Sequence, residues 1–355
     1  MQPMAKSAQT ARKRVTMADV AAEAQCSQAT VSVVLNPNSK IKISEATRER
    51  ILRIAEDLGY RAEGVPAQRF KPMREFVVIF DDLTVCPEAV ISADGVREAT
   101  WETGDIVAIY NCHGDEKMEG RTIETVLQRP LAGVIYATAR TRSVVVPEAL
   151  KTASVPVIFL NCHAKDRSVP SVVPGDVAGG NRATELLVTH GHRRIAHITG
   201  EGWMEVSRDR LRGYREALAT HDIAFDPDLV REGNWQLSSG YEATKSLMAL
   251  DRPPTAIFCG NDRMAMGCYE ALKELGLRIP ADVSVVGFDD DELASHLFPR
   301  LTTLKFPRHL MGAWAAEQAY EMNGSREENY RVVKLECELI ERDSVADKVS
   351  ATSFE

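Results

Sequence analysis

Apolar residues recur at helical spacing twice in quick succession near the start of the chain. In residues 16–35, TMADVAAEAQCSQATVSVVL, Val20, Ala21 and Ala24 make one stripe and Val31, Val34 and Leu35 a second. Each segment therefore has one apolar and one polar face. The pattern predicts two short amphipathic helices split by a tight turn, neither of them stable alone. Ser27 stands where an N-cap opens the second helix, and Thr30 and Ser32 place further hydroxyls on it. Helix N-termini and hydroxyls suit phosphate oxygens, and such a pair suits reading a DNA major groove. A helical hairpin that merely packs is the plainer reading of the same pattern.

Beyond about residue 75 the period changes. Short β-rich apolar runs, FVVIF at 76, IVAIY at 106, AGVIYA at 132, VPVIFL at 155, RIAHIT at 194, TAIFC at 255 and VSVVG at 283, alternate with helical patterns such as 94–102 and 262–275. Runs apolar on both faces and separated by helices predict parallel, doubly wound sheets. Seven runs exceed one comfortable domain, so two similar α/β lobes are expected, with a ligand cleft at the carboxyl ends of the strands.

Charge sharpens this division. The formal net charge is -8, yet residues 1–75 hold 13 Lys plus Arg against 8 Asp plus Glu, and the remainder holds 30 against 43. A basic head on an acidic body fits local phosphate binding. Residues 1–14 carry Lys6, Arg12, Lys13 and Arg14 and no acid, as a basic arm or a solvated terminus would. The 355 residues contain no apolar run of membrane-spanning length. No apolar segment follows the first basic residues, so a cytoplasmic location is expected.

Candidate catalytic chemistry is sparse. The seven cysteines stand singly, without a C-x-x-C pair, and read as small buried groups rather than as a disulfide or zinc framework. Asn111-Cys112-His113 and Asn161-Cys162-His163 each end an apolar run. Adjacent Cys and His point to opposite faces of a strand, so these are read as polar strand ends near a cleft and not as metal ligands. His190, His192 and His197 are read as structural. No G-x-G-x-x-G follows a strand, and neither a P-loop nor a G-x-S-x-G elbow is present. No cofactor, metal or enzymatic activity is expected.

The helix pair is followed by ISEATRERILRIAEDLGY, GHRRIAHITG, RLRGYREAL, AIFCGNDRMAMGCYEALKELGLRIPADVSVVGFDDDELA and PRLTTL. This ordered succession, from about residue 16 to about residue 344, resembles the lactose-repressor/galactose-repressor family of bacterial transcriptional regulators, and CELIERDS resembles that family's last strand. The resemblance implies an N-terminal all-helical helix-turn-helix headpiece plus two doubly wound parallel α/β lobes of periplasmic-binding-protein type. It implies a homodimer on a pseudo-palindromic operator. The expected divisions are a basic tail at 1–14, the headpiece at 15–62, a hinge at 63–74, the two-lobed core at 75–345 and a tail at 346–355.

By the same resemblance Thr16, Ser27, Thr30, Ser32 and Asn36 match positions that hold backbone phosphates, and Gln28, Ala29 and Val33 match positions that face base edges. Val33 stands where the family usually has Arg, which replaces a bidentate guanine contact by an apolar one and predicts an altered operator. Gln25 stands where a Gly is usual, so the turn must take up a conformation that Gly adopts cheaply. In the hinge, AEGVPAQRFK, Arg69 stands where a minor-groove Leu is usual, with Phe70 as a wedge in a shifted register. Gly64 and Pro66 make the segment an expected disorder-to-helix element that starts near Pro66.

For the effector the matching positions are Arg210, Trp235, Asn261, Asp262 and Asp289, with Asp81 and Asp176 from the other lobe. Arg and Asp suit hydroxyls and an indole suits a sugar-ring face. Asn261-Asp262 also begins a helix, and Asp262 is read as its cap. Gly175 and Phe306 stand where Asp and Gln are common, so the pocket is expected to be less polar than usual. The functional expectation is a repressor gated by a small polar metabolite, which the resemblance implies is a sugar or sugar derivative, through coupled binding equilibria. A pure solute-binding module would lack the basic head, and an enzyme would need a reactive constellation.

Overall fold

A computed structural model describes residues 15–35, 39, 41, 43–58, 60, 74–322 and 329–348. The chain divides into two units, Met1–Pro72 and Met73–Glu355.

The first unit contains α1 (Met17–Glu23), α2 (Gln28–Leu35) and α3 (Glu45–Asp57). The two predicted apolar stripes meet a third: Val20, Ala21, Ala24, Val31 and Val34 pack with Ile51 and Ala55. Helices this short are held by that shared core rather than by propensity. Each start is capped by a hydroxyl: Thr16 forms a reciprocal capping box with Asp19, and Ser27 and Ser44 accept from the amides of Thr30 and Thr47. Gln25, at the turn between α1 and α2, has φ 49°.

The second unit runs β1 (Glu75–Phe80), α4 (Ile91–Thr100), β2 (Ile106–Asn111), α5 (Glu116–Val126), β3 (Leu131–Val144), α6 (Glu148–Lys151), β4 (Val157–Ala164) and β5 (Ser171–Pro174). It continues with α7 (Asp176–Thr189), β6 (Ile195–Thr199), α8 (Glu205–Thr220), β7 (Val230–Glu232), α9 (Leu237–Met248), β8 (Ala256–Cys259), α10 (Asp262–Glu274) and β9 (Ser284–Asp289). It ends with β10 (Thr302–Lys305), α11 (Arg308–Met322), β11 (Val332–Leu335) and β12 (Glu338–Ile340). One sheet has the order β11-β5-β4-β3-β1-β2 and the other β12-β10-β9-β8-β6-β7. All recorded pairings are parallel except that of β10 with β12.

Both faces of each sheet are apolar, as the doubly hydrophobic runs require. Phe76, Val78 and Phe80 face Met311 and Ala315 of α11, whereas Val77 and Ile79 face Ile123 of α5. In the second lobe Ile198 and Ile257 lie in one core with Met264 and Cys268 of α10, and Phe258 and Phe288 in another with Tyr214 of α8. Close helix contact requires glycine: a Cβ at Gly213 of α8 would overlap the backbone of Val177 in α7.

The chain passes between the lobes at residues 175, 306–307 and 336–337, so α11 and β11 return to the first lobe. Gly175 donates its amide to Leu335 O at 2.7 Å, which ties two of these crossings together. The core extends past the expected limit of 345. Ala346 donates to Ser284 Oγ at 3.2 Å and Lys348 to His190 O at 2.7 Å, so residues 346–348 are tied to the start of β9 and the end of α7.

Candidate functional site

In the headpiece, α2 exposes Gln28, Ala29 and Ser32 on one face while Val31 and Val34 are buried. Val33 is half-buried and Thr16 exposed. Ser27 Oγ lies 2.8 Å from Thr30 Oγ1, so the two hydroxyls are already paired at the helix start. They and the unpaired first amides of α2 form one polar end suited to a phosphate. Asn36, Arg69 and Phe70 lie outside the described residues, as do the tail at 1–14 and most of the hinge.

The second site lies between the lobes of the core, at the carboxyl ends of the strands, where doubly wound sheets place ligands. Its walls come from Val85, Cys86 and Glu88 after β1, Ala139, Arg140 and Thr141 of β3, Val206 and Arg210 of α8, and Trp235 after β7. Asn261 and Arg263 at the start of α10, Asp289 and Asp291 at the end of β9, and Phe306 and Arg308 at a crossing complete it. The register shift of β3 between Ala137 and Arg142 turns residues 139–141 toward this space. The cavity is about 60 Å³, room for about two waters, and is partly open to solvent.

Backbone strain concentrates here. Trp235 has φ 67°, Asp289 φ 121° and Asp290 φ 55°. Asn261 Oδ1 accepts from the Met264 amide at 3.0 Å and so caps α10, while its Nδ2 donates to Trp235 O at 3.2 Å and holds the tryptophan backbone. The indole lies against Gly200, where a Cβ would overlap the ring, and its Nε1 faces Met204 Sδ at 3.2 Å.

Of the positions expected from sequence, Arg210, Trp235, Asn261, Asp289 and Phe306 line this cavity. Asp81, Asp176 and Asp262 do not. Asp81 accepts from the Ala139 amide at 2.8 Å and pairs with Arg142 at 2.9 Å, bracing β1 against β3. Asp176 is buried, pairs with Arg210 Nε at 2.8 Å, and borders an open hollow of about 690 Å³ with His163, Glu205, Arg331 and Lys334. Asp262 is neither a ligand candidate nor the cap, which is Asn261. It is 1% exposed and accepts from Thr303 Oγ1 at 2.6 Å and the Asp291 amide at 2.9 Å. Burial, with Asp289 next in weight, pushes its carboxyl well up.

The walls carry charged groups beyond those expected. Arg140, Arg263 and Arg308, Glu88 and Asp291 join Arg210 and Asp289 in the walls. Glu88 and Arg263 form a 2.9 Å ion pair between the lobes. Burial pushes Asp291 up to about 7, Asp289 adding its charge, and burial likewise raises Asp289 against the lowering charges of Arg308 and Arg210. A signal for Arg263 and Asp291 was present, since Arg263 follows Asp262 and Asp291 stands two residues after Asp289.

A helix-turn-helix unit followed by a two-lobed core with an interlobe cavity defines a ligand-responsive DNA-binding regulator. Residues 16–63 match the family of bacterial regulatory proteins, lacI family, and residues 184–345 match the periplasmic binding protein-like domain. The chain is 30% identical over 330 residues to the ribose operon repressor of Haemophilus influenzae, covering 93% of this chain and 98% of that one. It is similar to the lac repressor dimer bound to operator and the anti-inducer ONPF, with TM-score 0.69, 27% identity and 94% and 100% of the two chains covered. A complex of the transcriptional regulator CelR with cellobiose aligns with TM-score 0.66 and 30% identity over 93% of this chain and 100% of that one. The chain belongs to the lacI family, and it is a DNA-binding transcriptional regulator rather than an enzyme.

Proposed function

We propose that the chain is a repressor that binds a pseudo-palindromic operator as a homodimer, and that a small polar metabolite in the interlobe cavity controls its operator affinity. The observation that carries this reading is a cavity walled by both lobes, because only a ligand contacting both can shift their relative position. The solved relatives support it: one is bound to an operator and another to cellobiose. Pairing of two copies is supported by an apolar patch on the edge strand β2 and at α4, where Ile106, Ile109, Ile91 and Trp101 are exposed. No helix among the described residues is long and apolar enough to cross a membrane, and DNA binding fits work in the cytoplasm.

In this reading Thr16, Ser27, Thr30, Ser32 and Asn36 grip phosphates, Gln28, Ala29 and Val33 face base edges, and Arg69 and Phe70 of the hinge at 63–74 meet the minor groove. The effector contacts are Arg210, Trp235, Asn261, Asp289 and Phe306. Selection of operators from a random duplex library tests the DNA half. Val33→Arg and Gln28→Ala change the selected bases, whereas Thr30→Ala weakens binding about evenly across sequences. The reverse pattern refutes the assignment. A metabolite panel that never changes operator affinity refutes the effector half.

A further inference from the structure

The cavity contains a buried cation whose donors are poorly used. Arg308 is 9% exposed, at the start of α11. Its Nη1 lies 3.5 Å from Asp289 O, and its Nη2 lies 3.6 Å from Asp289 Oδ1 and 3.7 Å from Cys86 Sγ. The guanidinium sits 4.5 Å over the Phe306 ring. A guanidinium brings five N–H donors, and a good N–H to oxygen bond spans roughly 2.7–3.2 Å. Every one of these contacts is longer. A buried charge without close acceptors is costly, so the site calls for an acceptor that the protein does not supply.

Arg140 adds a second. Its guanidinium lies 5.6 Å over the Trp235 ring and forms no ion pair among the described residues. The other two arginines are engaged: Arg210 by Asp176 and the carbonyl of Gly260, and Arg263 by Glu88. That leaves Asp289 and Asp291 as the acids not already taken. Asp289 stands 3.6 Å from Arg308. Asp291 has a buried Oδ1 with no hydrogen-bond partner, and in its protonated form this group is a donor as well. The unused capacity of the cavity is thus donor-rich, which matches an oxyanion, an acceptor only, better than a neutral polyol, each of whose hydroxyls also brings a donor.

We propose that the effector carries an anionic oxygen group, a carboxylate or a phosphate, which Arg308 holds through paired N–H donors while Arg140 covers it from the Trp235 side of the cavity. This rests on the reading that the effector occupies the cavity between the lobes. Neutral sugars then bind weakly or not at all, and the charged group sets specificity. Asp289 orients Arg308, and the charge it shares with that guanidinium passes in part to the incoming anion.

Calorimetric titration of the full chain with matched probes tests this: glucose, glucuronate, gluconate and glucose 6-phosphate, with the corresponding galactose series. At least one acid or phosphate ester binds about tenfold or more tightly than its neutral parent, and the carboxylate and phosphate arms distinguish the two sources of the charge. Arg308→Gln and Arg140→Gln each lower anion affinity about tenfold or more and so narrow the gap between the anion and its neutral parent. Arg140 is half-exposed, so its variant keeps the test open if Arg308→Gln fails to fold. Binding of a neutral sugar as tight as that of its acid, or anion binding indifferent to Arg140→Gln, overturns the proposal and leaves an effector cavity in place. Failure of every anion overturns it too, and failure of every neutral and charged metabolite overturns the effector reading itself.

Discussion

His163 on β4 and Glu205 at the start of α8 meet across the lobes, with Nε2 2.9 Å from Oε1. The hydrogen bond to Glu205 raises His163 above its ordinary 6.5 against partial burial, and the same bond lowers Glu205 below its ordinary 4.5. The raised His contribution is full below pH 6.5 and is lost as pH rises through the raised value. The depressed Glu contribution is present above pH 4.5 and is lost as pH falls through the lowered value. The pair therefore ties the two lobes in a window from the acid range to about neutrality. His163→Gln loses under about 1 kcal/mol of unfolding free energy inside that window and nothing at pH 9, as chemical denaturation across pH reads. A loss that does not vary with pH would mean the pair is not ionic.

Gln25 occupies the left-handed region, φ 49°, between the two helices of the DNA-reading pair. A side chain there is strained by roughly 1–2 kcal/mol, and glycine removes that strain but frees the unfolded chain by roughly 0.4–1 kcal/mol. Gln25→Gly stabilises the headpiece by under about 1 kcal/mol net. Slower amide exchange at Val31 and Ile51 in the full-length protein registers the gain, and Gln25→Val gives faster exchange. Faster exchange in the glycine variant would mean that Gln25 makes a compensating contact.

The long strands were legible because a strand covered on both faces leaves an uninterrupted apolar run, as in β1, β3, β4 and β9. The three- and four-residue strands β5, β7, β10 and β11 left no such mark, since SVVP, VRE, TTLK and VVKL are strands only by virtue of their neighbours. The cleft followed the same division. Asp289 ends β9 and Asn261 caps α10 two residues after β8, and the family resemblance found both. Arg308 was missed, because its burial arises only when the crossing at 306–307 carries α11 back to the first lobe. Asp81 and Asp262 misled in the opposite sense, since a buried acid beside a cleft also serves to pin backbone amides.

Trp235 and Gly200 are fitted to each other, and the fit sets the shape of the cavity. A Cβ at Gly200 would fall within the indole, so Gly200→Ala displaces the ring. Because the indole walls the cavity, its displacement takes space from the ligand. Any effector identified by titration binds Gly200→Ala about tenfold or more weakly, and the tryptophan emission shifts with it. An unchanged affinity with shifted emission would remove Trp235 from the list of effector contacts.

Asp291 couples the cavity to pH with the opposite sign from an ordinary paired carboxylate. Burial and Asp289 push it up to about 7 from 3.8. The folded state therefore holds this proton more strongly than the unfolded state does, and stability falls as pH rises between about 4 and 7, then levels. Arg308 and Arg263 face the same carboxyl and temper the effect, whereas the charge of Glu88 adds to it. Asp291→Asn keeps the neutral shape, so it is neutral at pH 4 and more stable than the parent at pH 8, by on the order of 2 kcal/mol. Urea unfolding of both proteins at the two pH values reads the difference. An anion in the cavity favours the protonated carboxyl still further, so its binding takes up a proton near neutrality and weakens as pH rises through 7. In Asp291→Asn that pH dependence flattens, and if it persisted unchanged the proton would have to be assigned to another group.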